Sequence, residues 1–228
     1  MTNAFDVKSS EMALKCKWVL SLALLASVPA HAQNLSPNAQ LLVAARQDDL
    51  AAVTRLLDGG AAVNSRNRLG DTPLLIALKN GYKDIARLAV KRGANVNLAN
   101  LSSVTPLMAA SFSGNTELVR MLLEKGSERA PADRVGKTAM VYAAGLGHTV
   151  VVELLLADGE SPRAAYTNDL TALMWAAAYG HTGTVKLLLE RGADADARDN
   201  RGKSALAMAI EGRHKETEQL LRKAGAAQ

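Results

Sequence analysis

Three histidines, His148, His181 and His214, stand 33 residues apart, and imidazole is the commonest metal-binding side chain. A metal site would need their nitrogens about 2 Å from one ion. Equivalent positions on packed helices lie about 8–10 Å apart, so residues repeating at one period do not converge, and the ladder reads as structural. Asp194, Asp196 and Asp199 invite a calcium reading, but an EF-hand needs glycine at the sixth position and a closing glutamate. Here Asp199-Asn-Arg-Gly202 leads into a helix opening, so a solvated turn is the reading. No serine, cysteine or carboxylate pair stands in a nucleophile motif, and Ser102-Ser103 reads as a turn. The chain offers no catalytic constellation. We expect no cofactor, no metal and no enzymatic activity.

The elements that must position these residues keep the same step. A hydroxyl recurs at Thr72, Thr105, Thr138, Thr171 and Ser204, glycine at Gly60, Gly93, Gly126, Gly159, Gly192 and Gly225, and alanine at Ala44, Ala77, Ala110, Ala143, Ala176 and Ala209. Three residue types locked to one period mark a solenoid, in which each unit buries its apolar face by stacking on its neighbours. After a polar leader at 33–37 the chain divides into six units: 38–70, 71–103, 104–136, 137–169, 170–202 and a shorter 203–228. Each hydroxyl is placed to N-cap a first helix, with Pro73 and Pro106 at the first helical position. Gly81, Gly114, Gly147 and Gly180 end that helix. A second helix carries Leu122-Leu123, Leu155-Leu156 and Leu188-Leu189, and the glycine ladder closes it in the left-handed region. A turn-rich stretch such as Asp196–Gly202 then projects. The first unit places Arg46-Gln-Asp-Asp49 at its inter-helix turn, and the last carries Arg213-His-Lys-Glu-Thr-Glu-Gln219, polar surfaces suited to caps.

The first 32 residues predict a cleaved signal peptide. Lys15 and Lys17 precede the apolar run Trp18–Val28, and Pro29-Ala-His-Ala32 supplies small residues in an A-x-A pattern. Cleavage is expected after Ala32, with Met12 as the initiator, because Asp6 and Glu11 are out of place in such a flank. An uncut segment would instead make a membrane-tethered scaffold. The one cysteine, Cys16, lies in the removed segment, which suits an oxidising compartment and leaves no disulfide framework. Removal takes Lys8, Lys15 and Lys17 together with Asp6 and Glu11, so the net charge falls from +5 to +4. Basic and acidic residues alternate, without the patch a nucleic-acid binder needs. The expectation is a monomer in a bacterial periplasm, with no nucleic-acid partner and no membrane association once cleaved.

The units resemble ankyrin repeats. The resemblance rests on Thr72-Pro-Leu74 and Thr105-Pro-Leu107, the Ala-Ala pairs at 109–110, 143–144 and 176–177, Gly147-His148 and Gly180-His181, and the endings Gly93-Ala-Asn-Val-Asn97 and Gly192-Ala-Asp-Ala-Asp196. It covers about 38–228. It implies an all-α solenoid of about six helix-turn-helix units with projecting β-turn hairpins, and a structural hydrogen-bonding role for each histidine at its helix turn. The histidine of the family's T-P-L-H opening is Leu75, Met108, Val141, Met174 and Ala207 here, and its proline is alanine in the last three units.

The resemblance also implies a concave groove lined by first helices and turn tips, binding a protein or peptide. Carried over, its lining is Lys79, Asn80, Phe112, Ser113, Gly145, Leu146, Ala178 and Tyr179. The turn tips add Leu69, Asp71, Leu101, Val104, Arg134, Val135, Lys137, Asn168, Leu170, Arg201 and Lys203. Six aromatics follow residue 33, and Phe112, Tyr142, Trp175 and Tyr179 fall on three successive first helices. Tyr142 and Trp175, four residues after the threonine, are expected in the inter-repeat core. Phe112 and Tyr179 are expected to be exposed, with Leu101, Val104, Val135 and Leu170 as apolar tips. Such residues rimmed by charge make a binding hot spot, and Lys79, Arg134, Lys137, Arg201 and Lys203 would favour an acidic partner. An inhibitor or immunity protein, or an accessory stabiliser of an envelope enzyme, fits the same pattern. An enzyme or small-ligand protein would need a pocket of converging titratable groups.

Overall fold

The computed structural model describes residues 35–226, and the expected signal peptide lies outside them. Among these residues there are twelve α-helices and no strand, only two isolated bridges. They pair as α1 (Pro37–Arg46) with α2 (Leu50–Asp58), α3 (Pro73–Asn80) with α4 (Lys83–Lys91), and α5 (Pro106–Ser113) with α6 (Thr116–Glu124). The remaining pairs are α7 (Ala139–Gly145) with α8 (Thr149–Ala157), α9 (Ala172–Ala178) with α10 (Thr182–Glu190), and α11 (Ala205–Glu211) with α12 (Lys215–Lys223). A short 3-10 turn covers Thr167–Asp169.

Local chemistry accounts for the boundaries. Thr72, Thr105, Thr138, Thr171 and Ser204 each accept a hydrogen bond from the backbone N–H three residues on, satisfying a donor that has no partner inside the helix. Gly81 and Gly114 cap α3 and α5 in the left-handed conformation. α7 and α9 stop earlier, with Leu146 and Tyr179 at their C-caps, and Gly147 and Gly180 carry the positive φ just beyond.

Odd-numbered helices are rich in alanine and approach one another closely, whereas the leucine-bearing even-numbered helices stand further apart. The difference curves the stack with the odd layer inside. Its core runs from Leu41 through Leu74, Leu107, Met140 and Leu173 to Leu206, all buried. Leu75, Met108, Val141 and Met174 are buried as well, so these units join by packing at the position where the family's opening histidine would stand. On the even layer, Thr149 meets Thr184 at 2.8 Å and Thr182 meets Thr217 at 2.9 Å.

Projecting hairpins form the third layer. In four of them an Asn or Asp side chain accepts N–H groups two and four residues on: Asn67 from Leu69 and Asp71, Asn100 from Ser102 and Val104, Asp133 from Val135 and Lys137, and Asp199 from Arg201 and Lys203. Neighbouring tips are tied by Leu101 N–H to the Leu69 carbonyl, Arg134 N–H to Ser102 and Asn200 N–H to Asn168. The hairpin at Tyr166–Leu170 departs from this pattern. Tyr166 cannot play the Asn/Asp part, Asn168 and Asp169 both take positive φ, and the Thr167 hydroxyl donates to the Gly136 carbonyl at 3.2 Å. Gly136 has no side chain for a reason: a Cβ there would meet the Thr167 hydroxyl at 2.0 Å.

Candidate functional site

The inner face of α5, α7 and α9 carries a row of aromatic rings. Phe112 meets Tyr142 edge-on at 5.6 Å, and Trp175 stacks on Tyr179 at 6.2 Å with ring planes 9° apart. Tyr179 lies 6.4 Å from the His181 ring. Between the two pairs sits the Lys137 ammonium, 5.6 Å from the Tyr142 ring and 5.1 Å from Trp175, within reach of the attraction between a cation and an aromatic face. Trp175 packs beside Gly145, where a Cβ would lie at an ordinary contact distance of 3.6 Å from the indole.

Asp133 organises this centre. While Oδ1 holds the hairpin, Oδ2 accepts the Tyr142 hydroxyl, tying the tip to α7. Burial, with the adjacent Asp133 carboxylate, pushes the Tyr142 hydroxyl well above the usual tyrosine range. Burial also lowers the Lys137 ammonium below the usual lysine range, against the opposing pull of Asp133.

Several sequence expectations are corrected here. Tyr142 and Trp175 pack against the core as expected, but they are only half-buried and also form part of the groove row. Their rings extend past the small side chains of the alanine-rich inner layer. Phe112 and Tyr179 are also half-buried, because each packs on its neighbour in that row. Val104 and Leu170 are not exposed tips but pack against the core from the bases of their hairpins. Leu146 is half-buried at the end of α7. The exposed aliphatic tips are Leu69 at 64 %, Leu101 at 57 % and Val135 at 70 %. Asn80 and Ser113 are exposed on the groove rim, each bonded back to its own helix.

The charged rim is also reduced. Lys79 pairs with buried Asp71 at 2.6 Å, and Asp71 also accepts from Asn100. Arg201 forks onto buried Asp199, and Lys203 pairs with Glu211 at 2.7 Å. Burial pushes the Asp199 carboxyl up, but the Lys203 N–H and the Arg201 guanidinium and N–H together hold it below the usual carboxylate range. Exposed Arg134 and half-buried Lys137 make no ion pair among the described residues.

The histidine ladder has a definite structural job. Nε2 of His148, His181 and His214 lies 3.1, 3.0 and 3.1 Å from the carbonyls of Phe112, Gly145 and Ala178. Because a carbonyl only accepts, Nε2–H donates, and each ring satisfies a carbonyl at the C-terminal end of the preceding unit's first helix.

One constellation escaped the sequence reading. Glu160 breaks a column of small residues (Ala61, Ala94, Ser127, Ala193), and Tyr166 breaks the Asn/Asp column of the hairpins. The two rung-breakers pair, Tyr166 hydroxyl to Glu160 Oε1, at 2.6 Å. They line an open cleft of about 550 Å³ with Arg129 and Thr138. Burial raises the Glu160 carboxyl above the usual range, opposed by the Tyr166 hydrogen bond and the Arg129 charge. The legible signal was the coincidence of two column breaks six residues apart.

Comparison with known proteins agrees with this architecture. The family model described as "Ankyrin repeats (3 copies)" matches residues 41–131, 93–166, 129–199 and 158–228. A human protein named "Mitochondrial disaggregase" is 39% identical over 69 residues, 29% of this chain and 10% of that protein. The chain therefore spans about a tenth of that relative's length. Ankyrin repeats generally mediate protein–protein interaction and are generally non-catalytic. With twelve paired helices, capped and tied at one period, and overlapping family matches from residue 41 to 228, the chain belongs to the ankyrin repeat family.

Proposed function

We propose that this chain is a non-catalytic recognition module that binds a protein or peptide partner on the concave faces of α5, α7 and α9. It would act in a bacterial periplasm, after cleavage following Ala32. The observation that carries the reading is the aromatic row from Phe112 to Tyr179, half-buried but still open to solvent, with a cation at its centre. Aromatic side chains give large contact area at low entropic cost, and a stacked scaffold arrives already ordered. Exposed Leu101 and Val135 extend the apolar surface onto the hairpin tips.

A photo-crosslinking residue placed at Ser113 in the native host tests this. We expect it to capture a discrete protein, with capture lost in the Phe112→Ala, Tyr179→Ala double variant and absent from Lys186 on the outer helix α10. Equal capture from both faces, or capture indifferent to the double variant, would show that the groove is not the docking site. Sequencing the mature N-terminus tests export, and a start far from Gln33 would contradict it.

A further inference from the structure

We infer that Lys137 is a carboxylate anchor, receiving an Asp or Glu side chain of the partner segment while residues flanking that acid pack on the Phe112–Tyr142 and Trp175–Tyr179 pairs. This rests on the groove reading and names the chemistry that the groove selects.

The position before each helix-opening hydroxyl faces the position eight residues later, across the mouth of the groove. At Asp71 the facing residue is Lys79, and the two pair at 2.6 Å. At Lys203 it is Glu211, paired at 2.7 Å with the signs reversed. Between these, Val104 faces Phe112 and Leu170 faces Ala178, where no charge needs balancing. Lys137 breaks the rule: its facing residue is Gly145, and the space a side chain would fill is approached by Trp175. Of the three charges in this column, Asp71, Lys137 and Lys203, its ammonium is the one without an opposite charge across from it.

The neighbouring Asp133 attracts the ammonium through space but does not pair with it directly. Asp133 accepts the Val135 and Lys137 backbone N–H groups and the Tyr142 hydroxyl, and no salt bridge joins it to the Lys137 ammonium. What holds the ammonium is the pair of rings at 5.6 and 5.1 Å. A cation held by rings, without an ion-pair partner, gains from an arriving carboxylate more than a fully hydrated one does. Exposed Arg134, three residues away and also without an ion pair, adds long-range attraction for an acidic segment.

The chemistry also selects the source of the carboxylate. Capture of a chain-terminal carboxylate uses a nest of free backbone N–H groups, and in this hairpin Val135 and Lys137 have given theirs to Asp133. Phosphate recognition favours a bidentate guanidinium fork or several donors, whereas the groove centre offers one point-like ammonium between apolar faces. A side-chain carboxylate with hydrophobic neighbours matches that geometry.

The test is to pan a phage-displayed library of random dodecapeptides on the full chain and to define groove binders as those lost on Tyr179→Ala. We expect groove binders to share an Asp or Glu flanked by apolar residues. Changing that acid to Asn or Gln, or Lys137 to Met, should each weaken binding about tenfold. The two changes together should cost little more than either alone, and Lys137→Arg should retain most affinity. Groove binders that lack an acid, or are indifferent to Lys137→Met in a variant of unchanged thermal midpoint, overturn the anchor while leaving the groove standing. Recovery of no groove-dependent peptide overturns both. Lys137-dependent binding of phosphatidylserine vesicles or of a single-stranded oligonucleotide, in place of acidic peptides, assigns the cation to another anion and overturns the proposal.

Discussion

The Tyr166 hydroxyl donates to Glu160 Oε1 at 2.6 Å, joining the two residues at which the 33-residue pattern breaks within one unit. Glu160 Oε2 is buried without a hydrogen-bond partner among the described residues. The fourth unit thus trades the ordinary Asp-held hairpin for a Tyr–Glu pair.

That pair makes stability depend on pH through Glu160. Burial raises its folded carboxyl above the ordinary value of 4.5, so the folded state holds the proton more tightly than the unfolded chain. The linked stability is complete below that ordinary value and is lost as pH rises through the folded value. Glu160→Gln keeps an acceptor for Tyr166 and removes the ionisation, so it should gain on the wild type as pH rises. Urea midpoints at about pH 4 and about pH 8 measure this, and a variant whose relative stability does not change with pH would refute it.

Thr138 caps α7 by accepting the Val141 N–H, as Ser204 caps α11 by accepting the Ala207 N–H. Loss of a cap costs about 1 kcal/mol. Thr138→Ala and Ser204→Ala should therefore each lower stability by about that amount in chemical denaturation, and an unchanged midpoint would contradict the capping role.

The histidine ladder should respond as inter-unit glue. His148→Ala leaves the Phe112 carbonyl without its donor, at about 1–3 kcal/mol. Gly147→Ala should cost about 2 kcal/mol or more, because φ is +72° and the new Cβ would lie 2.6 Å from the His181 ring. Denaturation midpoints check both. Zinc should leave the wild-type thermal midpoint unchanged, and a zinc-dependent rise would contradict the structural role.

Tyr142 and Tyr166 should resist ionisation while the protein is folded, since burial and a neighbouring carboxylate hold each well above the usual tyrosine value of 10. Absorbance at the tyrosinate band, followed with Tyr142→Phe and Tyr166→Phe, should show neither residue titrating before the alkaline unfolding transition. A normal titration at either position would mean that its hydroxyl is solvated.

The aliphatic tips should be dispensable for folding. Leu69→Ser, Leu101→Ser and Val135→Ser remove exposed surface only, so each should change stability by no more than about 0.5 kcal/mol. Loss of groove-dependent capture in Val135→Ser, with stability unchanged, would place that tip in the interface.

Sequence alone determined the scaffold, because the residues that build it act locally. A hydroxyl caps the helix that follows it, and a glycine at a helix end takes a conformation other residues avoid, so identity and period were enough to place the helices. The histidine ladder also yielded to period alone, which ruled out convergence, although its acceptor carbonyls appeared only in three dimensions. What tertiary structure decided was the state of each groove residue. Lys79, Arg201 and Lys203 share a charge type with Lys137, yet Asp71, Asp199 and Glu211 engage the first three and no acid faces the fourth. Tyr142 and Trp175 share a helical position with buried Met208 but stand half-open. Pairing and exposure depend on what the next unit presents across a few ångströms, and a one-dimensional period carries no information about that distance.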